Sequence, residues 1–344
     1  MKPQLTLMIM NPLKVSLVVS LIFVSSVLDV SLQAAEPKAD ATKTSEAKQK
    51  EFTTPKEAAD TLVKAAETYD VAALTEILGP DAKDLISSED PVMDKEIATS
   101  FVARAKEKSA LDADANNKNH VVLTVGNDDF ALPIPIVNRK GKWVFDTKAG
   151  REEMLNRRIG SNELDAIAIC RGFDEAQHEY ALEKHDDAKV NQFAQKIIST
   201  PGKHDGLAWQ GPDGKWEGPI GENVAKAIEQ GYSESGKPYH GYYFKVLKKQ
   251  GPAAPLGAMD FVIDGAMIGG FALAAAPAQY RVTGVESFIV GADGVVYQKD
   301  LGADTLKAFQ AMDQFNPDKT WQATDDDWDF DAQPDAPAEK PAAQ

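Results

Sequence analysis

Apolar residues in this chain follow two periods, and the changes between them divide it. A helical period comes first. Thr54 supplies a cap, Pro55 an early proline, and Ala58, Leu62, Ala65 and Ala66 follow as a buried stripe. A second helix takes in Val71, Leu74, Ile77 and Leu78 and stops at Gly79-Pro80. A third covers residues 93–108, with Ile97, Phe101, Val102 and Ala105 facing inward. The period then shortens to two. Residues 120–125 form a strand, Gly126-Asn127-Asp128 a turn and 130–137 a returning strand, in which Pro133 and Pro135 imply an edge or a bulge. Trp143-Val144-Phe145 is the last strand. Helices followed by a small antiparallel sheet predict an α+β domain over residues 51–150.

The helical period then returns. Ala166, Ile169, Phe173, Ala176 and Tyr180 recur in steps of three and four, as one face of a helix does. The expected helix runs from 151 to 199, with a break near His185-Asp186-Asp187 and a stop at Pro201-Gly202. Loop-rich sequence over 206–236 contains a short helix at 223–230. Strands dominate afterwards: 239–247, then a hairpin of 258–263 with 267–275 across Asp264-Gly265, then 285–290 with 295–299, and a closing helix at 304–312. The second expected domain, 151–323, is a long helix packed on an antiparallel sheet, and the chain as a whole is α+β.

The termini and the charge add a compartment. Lys2 and Lys14 flank the start of an uncharged, mostly apolar run at 15–28, and Leu32-Gln33-Ala34-Ala35 offers small residues for cleavage, so 1–35 has the layout of a secretory signal. The run is about 14 residues, short of the roughly 20 that span a bilayer. No membrane span is expected after cleavage; retention as an anchor is the other reading, and Met8 and Met10 leave the start codon open. Residues 36–50 lack large apolar side chains and make a flexible leader, while 324–344, with Asp325, Asp326, Asp327, Asp329, Asp331 and Asp335, make an acidic disordered tail. The net charge of −16 argues against nucleic-acid backbones as partners. Cys170 is the single cysteine, so no intrachain disulfide forms, and among Ile167, Ile169 and Phe173 it is expected as a small buried hydrophobe. The expected location is periplasmic or secreted.

Three resemblances follow. The order of elements in 51–150 is similar to the cystatin-like and nuclear-transport-factor-like folds, in pattern alone. The second half resembles the globular part of type IV pilins and pseudopilins, through Asn162-Glu163, Ala166-Ile167, Arg171, Ala176-Gln177 and Tyr180 on the helix and Tyr242-Tyr243-Phe244, Ala276-Pro277-Ala278-Gln279-Tyr280, Thr283-Gly284-Val285 and Asp293-Gly294-Val295-Val296 on the strands. A whole domain separates the leader from the helix, which speaks against assembly into a pilus. Longer motifs, among them Trp143-Val144-Phe145-Asp146, Arg157-Arg158-Ile159-Gly160, Pro201-Gly202-Lys203-His204-Asp205-Gly206-Leu207, Pro238-Tyr239-His240-Gly241-Tyr242-Tyr243-Phe244 and Gly269-Gly270-Phe271-Ala272-Leu273, resemble the bacterial domain-of-unknown-function family 2950. That resemblance implies an exported bacterial protein and brings no activity or ligand.

Few residues carry candidate chemistry. His204 beside Asp205 is a candidate general base with a carboxylate, although neighbours on an extended chain point apart. His240, at a strand start, is a third candidate. Arg157 and Arg158 with Asn162 and Glu163 form a polar cluster on the long helix that suits an anion or a salt bridge to acids of the first domain such as Asp146. His178 and His185 are seven apart and lack the one-turn spacing of a helical metal pair. No cofactor and no metal are expected. The sequence thus favours a non-catalytic envelope protein, a binding or structural module whose partner is an envelope protein or cell-wall component. The competing class is a hydrolase or metal-dependent enzyme around His204, Asp205 and His240.

Overall fold

The computed structural model describes residues 49–87, 90–229 and 237–325. The expected signal segment, nearly all of the leader and most of the acidic tail lie outside the described residues. The chain divides into two compact units, 1–158 and 159–344, and is mixed α+β. No helix among the described residues is long and apolar enough to cross a membrane.

In the first unit, α1 (Pro55–Glu67) and α2 (Val71–Leu78) begin on side-chain caps: Thr54 accepts from the Glu57 N–H and Asp70 from the Ala73 N–H. Glu57 returns a bond to the Thr53 N–H at 2.9 Å, so the orphan donors of the first turn are met locally. Ala58, Leu62, Ala65 and Ala66 are all buried. A 3₁₀ turn at Pro80–Ala82 and the short α3 (Lys83–Ile86) lead to α4 (Pro91–Glu107). Ile97, expected inward, is at the surface. Only the C-terminal part of α4, at Phe101, Val102 and Ala105, meets the core, so Ile97 lies beyond its reach.

The sheet of this unit contains β1 (Ser109–Asp114), β2 (Asn117–Val125), β3 (Phe130–Ala131), β4 (Ile136–Arg139) and β5 (Lys142–Phe145), in the order β1-β2-β4-β5 with β3 also on β2. The expected strand over 130–137 is therefore two pieces. Pro133 and Pro135 fall in the gap, where no ladder donor is needed. Leu123, Val125, Ile136 and Phe145 close the core against α1 and α2.

The long helix, α5, runs Thr147–Tyr180. It ends well before the expected 199 because side chains from later in the chain take its last carbonyls. His185 Nε2 lies 2.9 Å from the Tyr180 oxygen, and Asn191 Nδ2 donates to the Ala181 oxygen at 2.9 Å. Gln177, fully buried, pairs with both the N–H and the C=O of Ala194. The buried stripe of the second unit is Ala166, Cys170, Phe173, Ala176 and Tyr180. Cys170 thus takes the place expected of Ile169, and burial pushes its thiol up to about 12.

That stripe packs with the strands of an antiparallel sheet, β9 (Tyr242–Leu247), β14 (Ala272–Pro277), β15 (Glu286–Gly291), β16 (Val296–Asp300) and β17 (Gln322–Ala323), in the order β17-β16-β15-β14-β9. Before it come β6 (Lys196–Ile198), β7 (Gly206–Gln210) and β8 (Trp216–Glu217), then α6 (Gly221–Glu229). Between β9 and β14 lie two small ladders, β10 (Lys249–Gln250) with β11 (Met259–Asp260), and β12 (Val262–Ile263) with β13 (Ala266–Met267). The expected hairpin across Asp264-Gly265 is real but only two pairs long. A Cβ at Gly269 would stand 2.7 Å from the Asp260 oxygen, and Gly270 has φ +138°, so the chain turns away there and β14 joins β9 instead. The helix α7 (Thr305–Ala311) packs by Phe309 into the same core.

Candidate functional site

In the second unit, α5 presents three polar side chains at positions 162, 163 and 165, and all three reach main-chain turns or a histidine. Asn162 Nδ2 donates to the Thr283 oxygen at 2.8 Å. Glu163 Oε1 accepts from the N–H groups of Val285 and Glu286, at 2.8 and 3.0 Å, where β15 begins. Asp165 Oδ2 lies 2.6 Å from His240 Nδ1. His240 and Gly241 occupy a two-residue turn, with φ +46° and +76°, between Tyr239 and Tyr242, which exchange both main-chain bonds. Asn-Gly is the favoured pair for such a turn, so histidine there is strained. Close by, burial and then the charges of Glu163 and Asp300 raise the carboxyl of Glu286. Burial also pushes up the Tyr242 hydroxyl, which donates to the Glu286 oxygen.

A second cluster forms where α5 ends. Both oxygens of Asp186 serve His204: Oδ1 is 2.6 Å from Nδ1, and Oδ2 accepts from the His204 N–H at 2.8 Å. These bonds lower the Asp186 carboxyl. Because a carboxylate only accepts, Nδ1 carries the proton and Nε2 is the nitrogen able to take one. The Tyr180 hydroxyl donates to the His204 oxygen; burial, with Asp186 and Asp205 nearby, pushes its titration up to about 12. The Trp209 ring meets His204 at 4.8 Å and His185 at 5.7 Å between centroids, and its Nε1 donates to Glu217. Gly218, with φ +94°, leaves room for that ring: a Cβ there would be 2.7 Å from it.

Asp205 is committed elsewhere. It accepts from the Thr200 N–H at 2.7 Å, the Thr200 hydroxyl and Lys196 Nζ at 2.9 Å. Burial opposes its charge, but those bonds outweigh burial and hold the carboxyl at about 2. Each candidate histidine therefore has a carboxylate that sequence reasoning did not assign, Asp186 for His204 and Asp165 for His240. Asp165 sits one turn from Asn162, a spacing visible in the sequence; its partner 75 residues on is not.

Of the two arginines, both in the first unit, Arg157 pairs with Glu153 at 2.7 Å, donates to the Ala131 oxygen and covers the Phe130 ring. Arg158 Nε is buried without a hydrogen-bond partner among the described residues. Asp146, the expected acid, pairs with Arg139 at 2.8 Å. Among the described residues, no group of three or more His, Cys, Asp and Glu side chains is arranged to hold a metal ion.

A family profile described as a protein of unknown function, DUF2950, matches residues 49–324. The chain belongs to the DUF2950 family. The match takes in both units, so the clamps of α5 and the His204 cluster alike lie within the DUF2950 region. No curated protein and no solved structure matches the chain.

Proposed function

We propose that this DUF2950 protein is exported and works as a binding or structural module of the cell envelope, with no catalytic step of its own. The observation that carries the reading is how the polar candidates are spent. Asn162 and Glu163 reach the main chain, Asp205 ties down the Thr200 turn, and Arg157 holds the Ala131 carbonyl. Side chains engaged in this way stabilise a surface rather than await a substrate. The layout of residues 1–35 supports export. The packing of α5 with an antiparallel sheet supports a pseudopilin-like plan for the second unit, and helices with a small sheet support a cystatin-like plan for the first. A cell-wall component or another envelope protein is the proposed partner.

One observation favours the competing reading. The His204–Asp186 pair has the orientation of a general base with its orienting carboxylate, so a hydrolase built here would use Asp186 in place of Asp205. Affinity capture of the tagged chain from its native envelope, followed by mass spectrometry, tests the binding reading. A partner recovered reproducibly supports it. Recovery of none, together with hydrolytic turnover that His204→Asn abolishes, would establish the alternative.

A further inference from the structure

Strand β1 ends the sheet of the first unit and pairs with β2 alone. The Gly126 N–H donates to the Lys108 oxygen at 3.0 Å. Bonding alternates along an antiparallel pair, so Lys108, Ala110 and Asp112 turn their main-chain groups to β2. The N–H and C=O groups of Ser109, Leu111 and Ala113 therefore point outward, and no described residue bonds to them. The strand holds no proline. Its irregularity belongs to β2, which inserts residues 118–120 between the partners of Ala113 and Asp114, so β1 itself runs on unbroken. Ser109, Asp112, Ala113 and Asp114 are exposed, while Leu111 packs with the first core and is only partly covered by it.

The run from Lys108 to Asp114 is complementary to itself. Lys108 is already extended, with φ −154° and ψ 140°, so it continues the strand backwards by one residue. Three antiparallel alignments about a two-fold axis bring at least two outward residues of each copy into bonding pairs. With the axis at Leu111, Ser109 meets Ala113 of the second copy, Leu111 meets Leu111 and Ala113 meets Ser109, each pair exchanging two main-chain bonds. Asp114 then faces Lys108 of the second copy on both sides of the axis, and Asp112 faces Ala110. An axis at Ala110 gives up one of the three pairs. An axis at Asp112 gives up one as well and sets the two Asp112 carboxylates directly opposite, which is destabilising. Within one chain Lys108 Nζ holds Asp129 at 2.5 Å with both side chains about half-exposed, and Asp114 Oδ1 takes the Asn116 N–H. Further ammonium protons and the other Asp114 oxygen remain for the contact. We propose that two copies of this chain associate edge to edge through β1, antiparallel, with Leu111 on the two-fold axis and Lys108 paired with Asp114 across it. The two sheets join into one, and the surface is the same on both copies, so the assembly closes at two. It needs no envelope partner and holds whether or not one is bound.

Sedimentation velocity of the full chain across the micromolar range is the test, with the parent expected as a dimer. Ser109→Pro together with Ala113→Pro removes outward N–H groups alone, so the ladder with β2 keeps its bonds. That variant should sediment as a monomer with the circular dichroism of the parent. Charge reversal tests the register without touching the backbone. Asp114→Lys or Lys108→Asp should each weaken the dimer at least about tenfold, since two contacts per dimer change from attraction to repulsion. Mixing the two single variants should restore it, because each then meets the opposite charge on its partner. A parent that stays monomeric throughout, or that forms an open series of larger assemblies, would overturn the proposal. So would proline variants that dimerise like the parent, or a mixture of the charge variants no tighter than either alone.

Discussion

Replacing Glu163 by alanine removes one carboxylate oxygen that accepts two main-chain bonds, from Val285 at 2.8 Å and Glu286 at 3.0 Å. Both bonds are part-buried, at the residue before β15 and at its first residue, and β15 is a strand paired on both sides. A bond to a charged acceptor contributes about 1.5–3 kcal/mol. Water entering a half-exposed site recovers some of that, which leaves a cost of about 2–4 kcal/mol for Glu163→Ala. Glu163→Gln keeps an oxygen in place and loses only the charge assistance, so its cost is about 1 kcal/mol. At about 2–4 °C per kcal/mol for a domain of this size, the alanine variant melts about 4–16 °C lower. Urea unfolding followed by tryptophan fluorescence measures both variants. The glutamine variant also removes a negative charge that raises Glu286, so the Glu286 carboxyl should titrate lower than in the parent. Alanine and glutamine variants that both stay within about 0.5 kcal/mol of the parent would refute the view that α5 is clamped to the sheet through this residue.

Asp205 gives a pH prediction. Its carboxyl titrates at about 2 in the folded chain, below the ordinary value of about 3.9. Its contribution is therefore present above that ordinary value and lost as pH falls towards 2. The shift corresponds to about 2.6 kcal/mol, reduced to about 1 by solvent at a pair exposed by a third or more. The stability difference between the parent and Asp205→Asn should close between about pH 4 and pH 2; a difference independent of pH there would contradict it. Gln177→Leu strips both partners from Ala194 in a fully buried site, and should cost about 2–4 kcal/mol in chemical denaturation. Cys170, buried and with its thiol raised to about 12, should resist thiol reagents in the native state and react on unfolding.

What the sequence disclosed was local. The stripe of Ala58, Leu62, Ala65 and Ala66, the cap at Thr54 and the stop at Gly79-Pro80 depend on neighbours within a few residues, and all stand in the structure. The C-terminus of α5 was legible only in part: the apolar stripe ends at Tyr180 and the sequence places a break near His185-Asp186-Asp187, but the long-range contacts at that end, His185 and Asn191 folding back on Tyr180 and Ala181, are tertiary. Strand β1 escaped notice because Ser109–Asp114 is an edge strand with few apolar positions. The same distinction governs the site. His204, Asp205 and His240 stood out by residue type, but their carboxylate partners lie far from them along the chain. Asp186 meets His204 across 18 residues and Asp165 meets His240 across 75. Only tertiary structure brings them together.

The most direct test of the whole account is to recover the tagged chain from fractionated native cells, measure its intact mass and identify what accompanies it. An exported binding module predicts a chain in the envelope or secreted fraction, shortened near Ala35, with the same companion in repeated preparations. A full-length chain in the cytoplasm without a companion would contradict it.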